Sequence, residues 1–213
     1  MTDNTDGEML LIGRYLSPFV RRVAVSLRHF GIPYRRRVLS TLTDMPDIEK
    51  SNPVGRVPVL VLATGESVID SAAILDALDQ LVGPERALMP ASGPDRRRAF
   101  GTLMLAVGTV ERAMTANGER RRPADKQMPE KLDGLLRFVR RGLAELDREL
   151  DDRAWFVGER MLQPDITAAV GLSFIRRVHP GLVGETEFPA LSGLTARCEK
   201  MPAFQAAWID IEA

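Results

Sequence analysis

Gly83-Pro-Glu-Arg-Ala-Leu-Met-Pro-Ala-Ser-Gly-Pro94 divides the chain into two parts of different character. Three prolines and two glycines in twelve residues read as a linker. Working back from it, Ile74, Leu75, Leu78, Leu81 and Val82 mark one face of a helix. Glu66 to Ile69 is short enough to be a hairpin strand, paired with the β-branched run Val57-Pro-Val-Leu-Val-Leu62. Tyr34 to Leu39 is a further strand, weakly signalled because it contains Arg35–Arg37. Phe19, Val20, Val23, Ala24, Leu27 and Phe30 line a helix that Gly31 ends. Met9-Leu-Leu-Ile12 reads as a buried strand. The order is β-α-β, a loop, then β-β-α.

Beyond the linker every periodic segment is helical. Phe100, Leu103, Met104, Val107, Val110 and Met114 define a first face. Leu132, Leu135, Leu136, Val139, Leu143, Leu146 and Leu150 define a long second one. Ile166, Ala169, Val170, Ser173 and Phe174 define a third, and shorter segments begin near Phe188 and Pro202. Such faces must bury against one another, which makes this part a bundle. The expected fold class is α/β plus all-α, with a mixed domain over 8–84 and an all-helical domain over 95–213.

Bulk composition narrows the function. The 213 residues carry 29 basic and 29 acidic side chains. Nine basic and ten acidic residues precede position 84, and twenty and nineteen follow. Neither part has the positive excess of a nucleic-acid binder. One cysteine, Cys198, excludes a disulfide framework, and two histidines leave little for a zinc site. No apolar run approaches a membrane span, and the polar, acidic start lacks the apolar core of a signal peptide. A soluble, cytoplasmic protein is expected.

Three stretches carry possible chemistry. In Tyr15-Leu-Ser-Pro-Phe-Val-Arg-Arg22 a strand ends and a helix starts at Ser17-Pro18. Serine is a good N-cap and proline a good first helical residue, so Ser17 reads first as a plain cap. A helix start also attracts anions, including a thiolate, to which a hydroxyl can donate. As a nucleophile Ser17 would need a base. His29 lies about 18 Å further along the same helix at 1.5 Å per residue, and His179 is in the other domain, so hydrolase chemistry is disfavoured. In Asn52-Pro-Val-Gly-Arg-Val-Pro-Val59, Pro58 is either an ordinary trans proline at a strand start or a cis one. A cis bond would turn the backbone of Val57 outward, to pair with an extended peptide as an edge strand does. In Glu66-Ser-Val-Ile-Asp-Ser-Ala-Ala-Ile74, Asp70-Ser71 opens a helix. Both are capping residues. Together they could also grip an amino-acid end, the aspartate taking the α-amino group and the serine and helix start the α-carboxylate.

These motifs, in this order, resemble the glutathione S-transferase family across nearly the whole chain. SPFVRRV at 17–23 is similar to the serine-type active-site motif of tau-class and many bacterial members. NPVGRVPVL at 52–60 resembles the loop and cis-proline strand, and IDSAAIL at 69–75 the motif that holds the γ-glutamyl end of glutathione. The resemblance implies a thioredoxin-like N-terminal domain followed by an all-helical one. It implies that Ser17 stabilises the glutathione thiolate, that Val57 pairs with the cysteinyl part beside cis-Pro58, and that Asp70 and Ser71 bind the γ-glutamyl end. Arg56 stands where many members carry a basic residue near the glycine carboxylate; Arg22 would serve structure within the first helix. Tyr15 is a rival thiolate donor, since some classes use tyrosine and strand alternation could aim it into the cleft.

The implied reaction has glutathione, as co-substrate, attack a hydrophobic electrophile with no metal. Lowering a thiol pKa by about two units needs about 2.7 kcal/mol. One charge-assisted hydrogen bond of about 1.5–3 kcal/mol and a helix terminus can supply that. The acceptor would sit between the domains, against Leu16, Phe19 and Val107–Met114. Asn117–Arg122 would rim it, with three arginines suited to an acidic acceptor; a solvated loop is the plainer reading. A homodimer is expected. A glutathione-dependent peroxidase, isomerase or lyase, or a non-catalytic glutathione-binding regulator, would share every motif. Two departures stand out. The family more often has glutamate at the position of Asp70. In Leu162-Gln-Pro-Asp165 the aspartate of a capping box is kept but Leu162 cannot cap, so Leu162→Thr is expected to raise the melting temperature.

Overall fold

Strand β1 (Met9–Ile12) is the axis of the N-terminal part. It pairs in parallel with β2 (Tyr34–Arg37) and antiparallel with β3 (Val59–Val61), which in turn pairs antiparallel with β4 (Ser67–Ile69). The sheet order is β2-β1-β3-β4, a thioredoxin-like arrangement. The computed structural model describes residues 7–184 and 186–208. They form two units, one of the residues up to Ala87 with those from Met201, the other Leu88–Lys200.

Central strands can be apolar on both faces only if both are covered. Leu11, Ile12 and all of Val59, Leu60 and Val61 are fully buried. Ile12, Val59 and Val61 pack with Leu39 and with Ile48 of the short helix α2 (Met45–Glu49). Leu11 and Leu60, opposite each other in register, alternate to the other face. Helices α1 (Pro18–Phe30) and α3 (Ser71–Val82) pack on each other, with α3 against β3 and β4. The three arginines of Tyr34–Arg37 do not prevent a strand because β2 is an edge, where charge is tolerated and discourages further pairing. Gly31 ends α1 at φ 69°, where the Ile32 N–H reaches back to the Leu27 carbonyl at 3.0 Å.

The last described stretch belongs to this unit. Helix α8 (Pro202–Gln205) packs on α1, and the buried Arg21 Nε donates to the Ala207 carbonyl at 2.8 Å. The Arg21 guanidinium also lies 5.8 Å from the Phe204 ring centroid and 5.7 Å from that of Trp208.

The second unit contains helices α4 (Gly93–Arg120), α5 (Pro129–Leu150), α6 (Gln163–Val178) and α7 (Pro189–Glu199). The buried face of α4 differs from the one its large apolar residues suggest. Phe100, Met104 and Met114 are exposed within the chain, while Ala99, Thr102, Ala106, Thr109, Ala113 and Ala116 join Leu103 and Val110 inside. Small residues let the helices approach closely. A Cβ placed on Gly142 of α5 would stand 2.1 Å from Thr109 Oγ1, and one on Gly171 of α6 2.7 Å from Val110 Cγ2. Within the Asn117–Arg122 segment, residues up to Arg120 belong to the last turn of α4, and Arg121 and Arg122 follow it as an exposed turn. Arg120 donates to the Val178 carbonyl and meets His179 Nδ1, both at 3.2 Å, and Arg122 pairs with the buried Glu119 at 3.1 Å. His179 is buried, with Nε2 2.8 Å from the Ala113 carbonyl, and therefore serves packing.

At the start of α6 the Asp165 carboxylate is fully buried and accepts the N–H groups of Phe156 at 2.9 Å and Leu162 at 2.7 Å. Leu162 is only 4% exposed, which reverses the expectation for this position. A threonine there would gain a cap of about 0.5–2 kcal/mol. It would lose leucine burial of about 1.5–3 kcal/mol. Leu162→Thr is thus expected to lower the melting temperature in a thermal unfolding scan, by a few degrees at most.

Candidate active site

The turn from β1 into α1 passes through Gly13, at φ 129°. A Cβ there would lie 2.6 Å from Val20 Cγ2 and 3.0 Å from Val57 Cβ. The absent side chain is what lets the segment before β3 come this close to the start of α1. Ser17 is the N-cap of α1: its carbonyl accepts the Arg21 N–H at 2.9 Å, and its hydroxyl oxygen accepts the Val20 N–H at 3.4 Å. A serine hydroxyl that accepts one hydrogen bond keeps a donor, which an anion in front of the helix could take. No titratable partner is needed for that. His29 is exposed at the far end of α1 beside Phe30.

Val57–Pro58 is a cis peptide. Pro58 is buried and Val57 half-buried. The loop before them is set by Asn52, which is 3% exposed. Its Nδ2 donates to the Arg56 carbonyl at 2.8 Å, and its Oδ1 accepts the Val54 N–H at 3.0 Å. The Arg56 side chain is exposed. Asn52 was visible in the sequence only as part of a motif; a buried amide bonding to backbone on both sides is invisible without the loop geometry.

Asp70 caps α3, its Oδ1 accepting the Ala72 N–H at 2.8 Å. Its φ of 69° lies where non-glycine residues are uncommon, and aspartate is one of the few that tolerate it. Such a strained position at a helix start marks a candidate site for function. Ser71 follows, 4% exposed, and its hydroxyl oxygen accepts Arg22 Nη2 at 2.7 Å. Arg22 is itself buried, with its guanidinium 5.3 Å from the ring centroid of the half-buried Phe19. Sequence reasoning gave Gly13 no role and Arg22 a structural one within the first helix: Gly13 draws Val57 to the head of α1, and Arg22 ties α1 to the head of α3.

Tyr15 is not on this surface. It is 2% exposed, its hydroxyl lies 2.7 Å from that of Tyr34, and the Arg36 guanidinium sits 3.5 Å from its ring centroid. Burial, reinforced by the bond to Tyr34, pushes its pKa well above the ordinary tyrosine value. Tyr15 lies in the turn beyond β1, and the contact with Tyr34 holds its side chain inside, against the expectation that it faces a cleft.

Comparison with known proteins identifies the family of the chain. Residues 11–86 match the family model "Glutathione S-transferase, N-terminal domain", and residues 107–202 match "Glutathione S-transferase, C-terminal domain". The chain is 31% identical over 183 residues to the uncharacterized GST-like protein YibF of Escherichia coli (strain K12), covering 81% of this chain and 86% of that protein. Among solved structures, a glutathione S-transferase from Methylobacterium radiotolerans in complex with glutathione sulfonate superposes with a TM-score of 0.88 at 27% identity, covering 97% of each chain. One from Methylobacillus flagellatus with glutathione bound also gives 0.88, at 28% identity, covering 95% of this chain and 100% of that one.

Proposed function

Because the chain belongs to the glutathione S-transferase family, we propose that it binds glutathione at the heads of α1 and α3 and transfers it to a hydrophobic electrophile. In this reading the Ser17 hydroxyl donates to the thiolate, and the backbone of Val57 pairs with the cysteinyl unit. Asp70 accepts from the γ-glutamyl amino group, and Ser71 donates to the γ-glutamyl carboxylate. Arg56 attracts the glycine carboxylate, and Phe19 borders the sulfur. The thiol proton leaves to solvent. The thiolate sulfur then bonds to the electrophilic carbon, and the leaving group departs with its electron pair. The module over 8–84 supplies glutathione recognition, in a cytoplasmic homodimer.

The observation that carries the reading is the Ser17 hydroxyl at the N-terminus of α1, its oxygen 3.4 Å from the Val20 N–H. Support comes also from the two superposing structures, which hold glutathione sulfonate and glutathione.

The test is conjugation of glutathione to an aryl halide by wild type, Ser17→Ala and Tyr15→Phe. Loss of a charge-assisted bond of about 1.5–3 kcal/mol should lower kcat/KM about 10- to 150-fold in Ser17→Ala. The rate against pH should shift upward as the bound thiol becomes less acidic. Tyr15→Phe should keep its rate within about threefold and lose about 1 kcal/mol of stability, from the buried bond to Tyr34. The reverse ranking would make Tyr15 the donor, and absence of glutathione binding at millimolar concentration would refute the reading.

A further inference from the structure

The Arg22–Ser71 contact reaches beyond the residues assigned above. Arginine has five N–H donors and no acceptor, whereas a serine hydroxyl has one donor and two acceptor lone pairs. With Arg22 Nη2 at 2.7 Å, the Ser71 oxygen is therefore the acceptor. Its proton cannot point back toward the guanidinium. The bond is charge-assisted, so it draws electron density from the oxygen and makes the remaining O–H a stronger donor. Both residues are buried, Arg22 at 3% and Ser71 at 4% exposure, so water competes little for either. Phe19, whose ring centroid lies 5.3 Å from the guanidinium, sits two residues beyond Ser17 in α1.

We infer that Arg22 is a positioning residue for carboxylate recognition: it fixes the Ser71 hydroxyl as an outward donor and places a positive charge behind it. The inference rests on the glutathione reading and makes the head of α3 selective for a ligand whose amino-acid end carries an α-carboxylate. Arg22 need not touch the ligand. It acts through Ser71, so its effect should vanish when the Ser71 hydroxyl is absent. It should vanish equally when the ligand lacks the carboxylate.

The experiment measures dissociation constants for two ligands. One is glutathione; the other is γ-aminobutyryl-cysteinyl-glycine, in which hydrogen replaces the α-carboxylate. The proteins are wild type, Arg22→Gln, Arg22→Lys, Ser71→Ala and the Arg22→Gln/Ser71→Ala double variant, each with its melting temperature. Arg22→Gln should weaken glutathione about tenfold or more and the truncated ligand less than about twofold. In the Ser71→Ala background Arg22→Gln should add no further carboxylate-specific loss. Arg22→Lys, which keeps a charge and a donor, should fall between. Should Arg22→Gln fail to fold, Arg22→Lys decides by the same two criteria. Equal weakening of both ligands, or a full additional loss in the Ser71→Ala background, would overturn the inference and leave the glutathione reading standing. A wild type that binds neither ligand would overturn both.

Discussion

Asp165→Ala should lower the melting temperature by roughly 10 °C. The carboxylate is fully buried and accepts two backbone N–H groups, from Phe156 and Leu162. Alanine leaves both donors in a site with no acceptor, at about 1–3 kcal/mol each. A total near 3 kcal/mol corresponds to that shift in a chain of this size, at about 2–4 °C per kcal/mol. The effect depends on pH in a defined direction. Burial pushes Asp165 up to about 6, and the backbone N–H bonds pull it down without cancelling the rise. A carboxyl that binds its proton more tightly in the folded state contributes most below the unfolded value, near 4, and loses that contribution as pH rises through about 6. The stability gap between wild type and Asp165→Ala should therefore be widest near pH 4 and narrow toward pH 7. A gap that widened with pH would show that the hydrogen bonds, not the burial, dominate this carboxyl.

Gly13→Ala should be the most damaging single methyl in the N-terminal unit. The added carbon would meet Val20 Cγ2 at 2.6 Å and Val57 Cβ at 3.0 Å, at a φ of 129° that side chains rarely adopt. Neither valine can yield without moving α1 or the segment before β3. Overpacking of this kind costs about 1–3 kcal/mol, and the backbone strain adds about 1–3 more. Gly65→Ala provides the comparison, since Gly65 also has positive φ, 86°, but nothing lies within 4 Å of its Cβ position. The difference between the two variants in chemical denaturation isolates the clash from the strain. Glutathione affinity should fall in Gly13→Ala and not in Gly65→Ala, because only Gly13 sets the distance between the head of α1 and Val57.

Much of the fold was legible from local chemistry. Met9–Ile12 and Val59–Val61 are apolar enough to read as buried strands, and Ser17, Gly31 and Asp70 mark helix ends through their capping preferences. What escaped was decided by tertiary contact. The inward face of α4 adds alanine and threonine to Leu103 and Val110, with Gly142 close against Thr109 and Gly171 against Val110, so hydrophobic size alone found only part of it. Leu162 looked like a defective cap because its burial is not visible in the local sequence. Tyr15 was ambiguous for a similar reason: it lies in the turn beyond β1, and its partner Tyr34, at the start of β2, is nineteen positions away. Arg22 read as an ordinary helix residue. Its meaning lies 49 positions away, at Ser71.

The anchoring of α1 by Arg21 and Phe204 has a bearing on biosynthesis. The N-terminal unit is not a contiguous piece of chain, because α8 and the Ala207 carbonyl complete it. Domains of a nascent polypeptide ordinarily fold in the order in which they emerge from the ribosome. Here the first unit to emerge is completed only by a segment that follows Leu88–Lys200 in the chain. A fragment ending at Ala87, or a reporter fused directly after Lys200, would lack the segment that seals α1. Truncation experiments meant to isolate the N-terminal unit should therefore carry 201–208 on a tether.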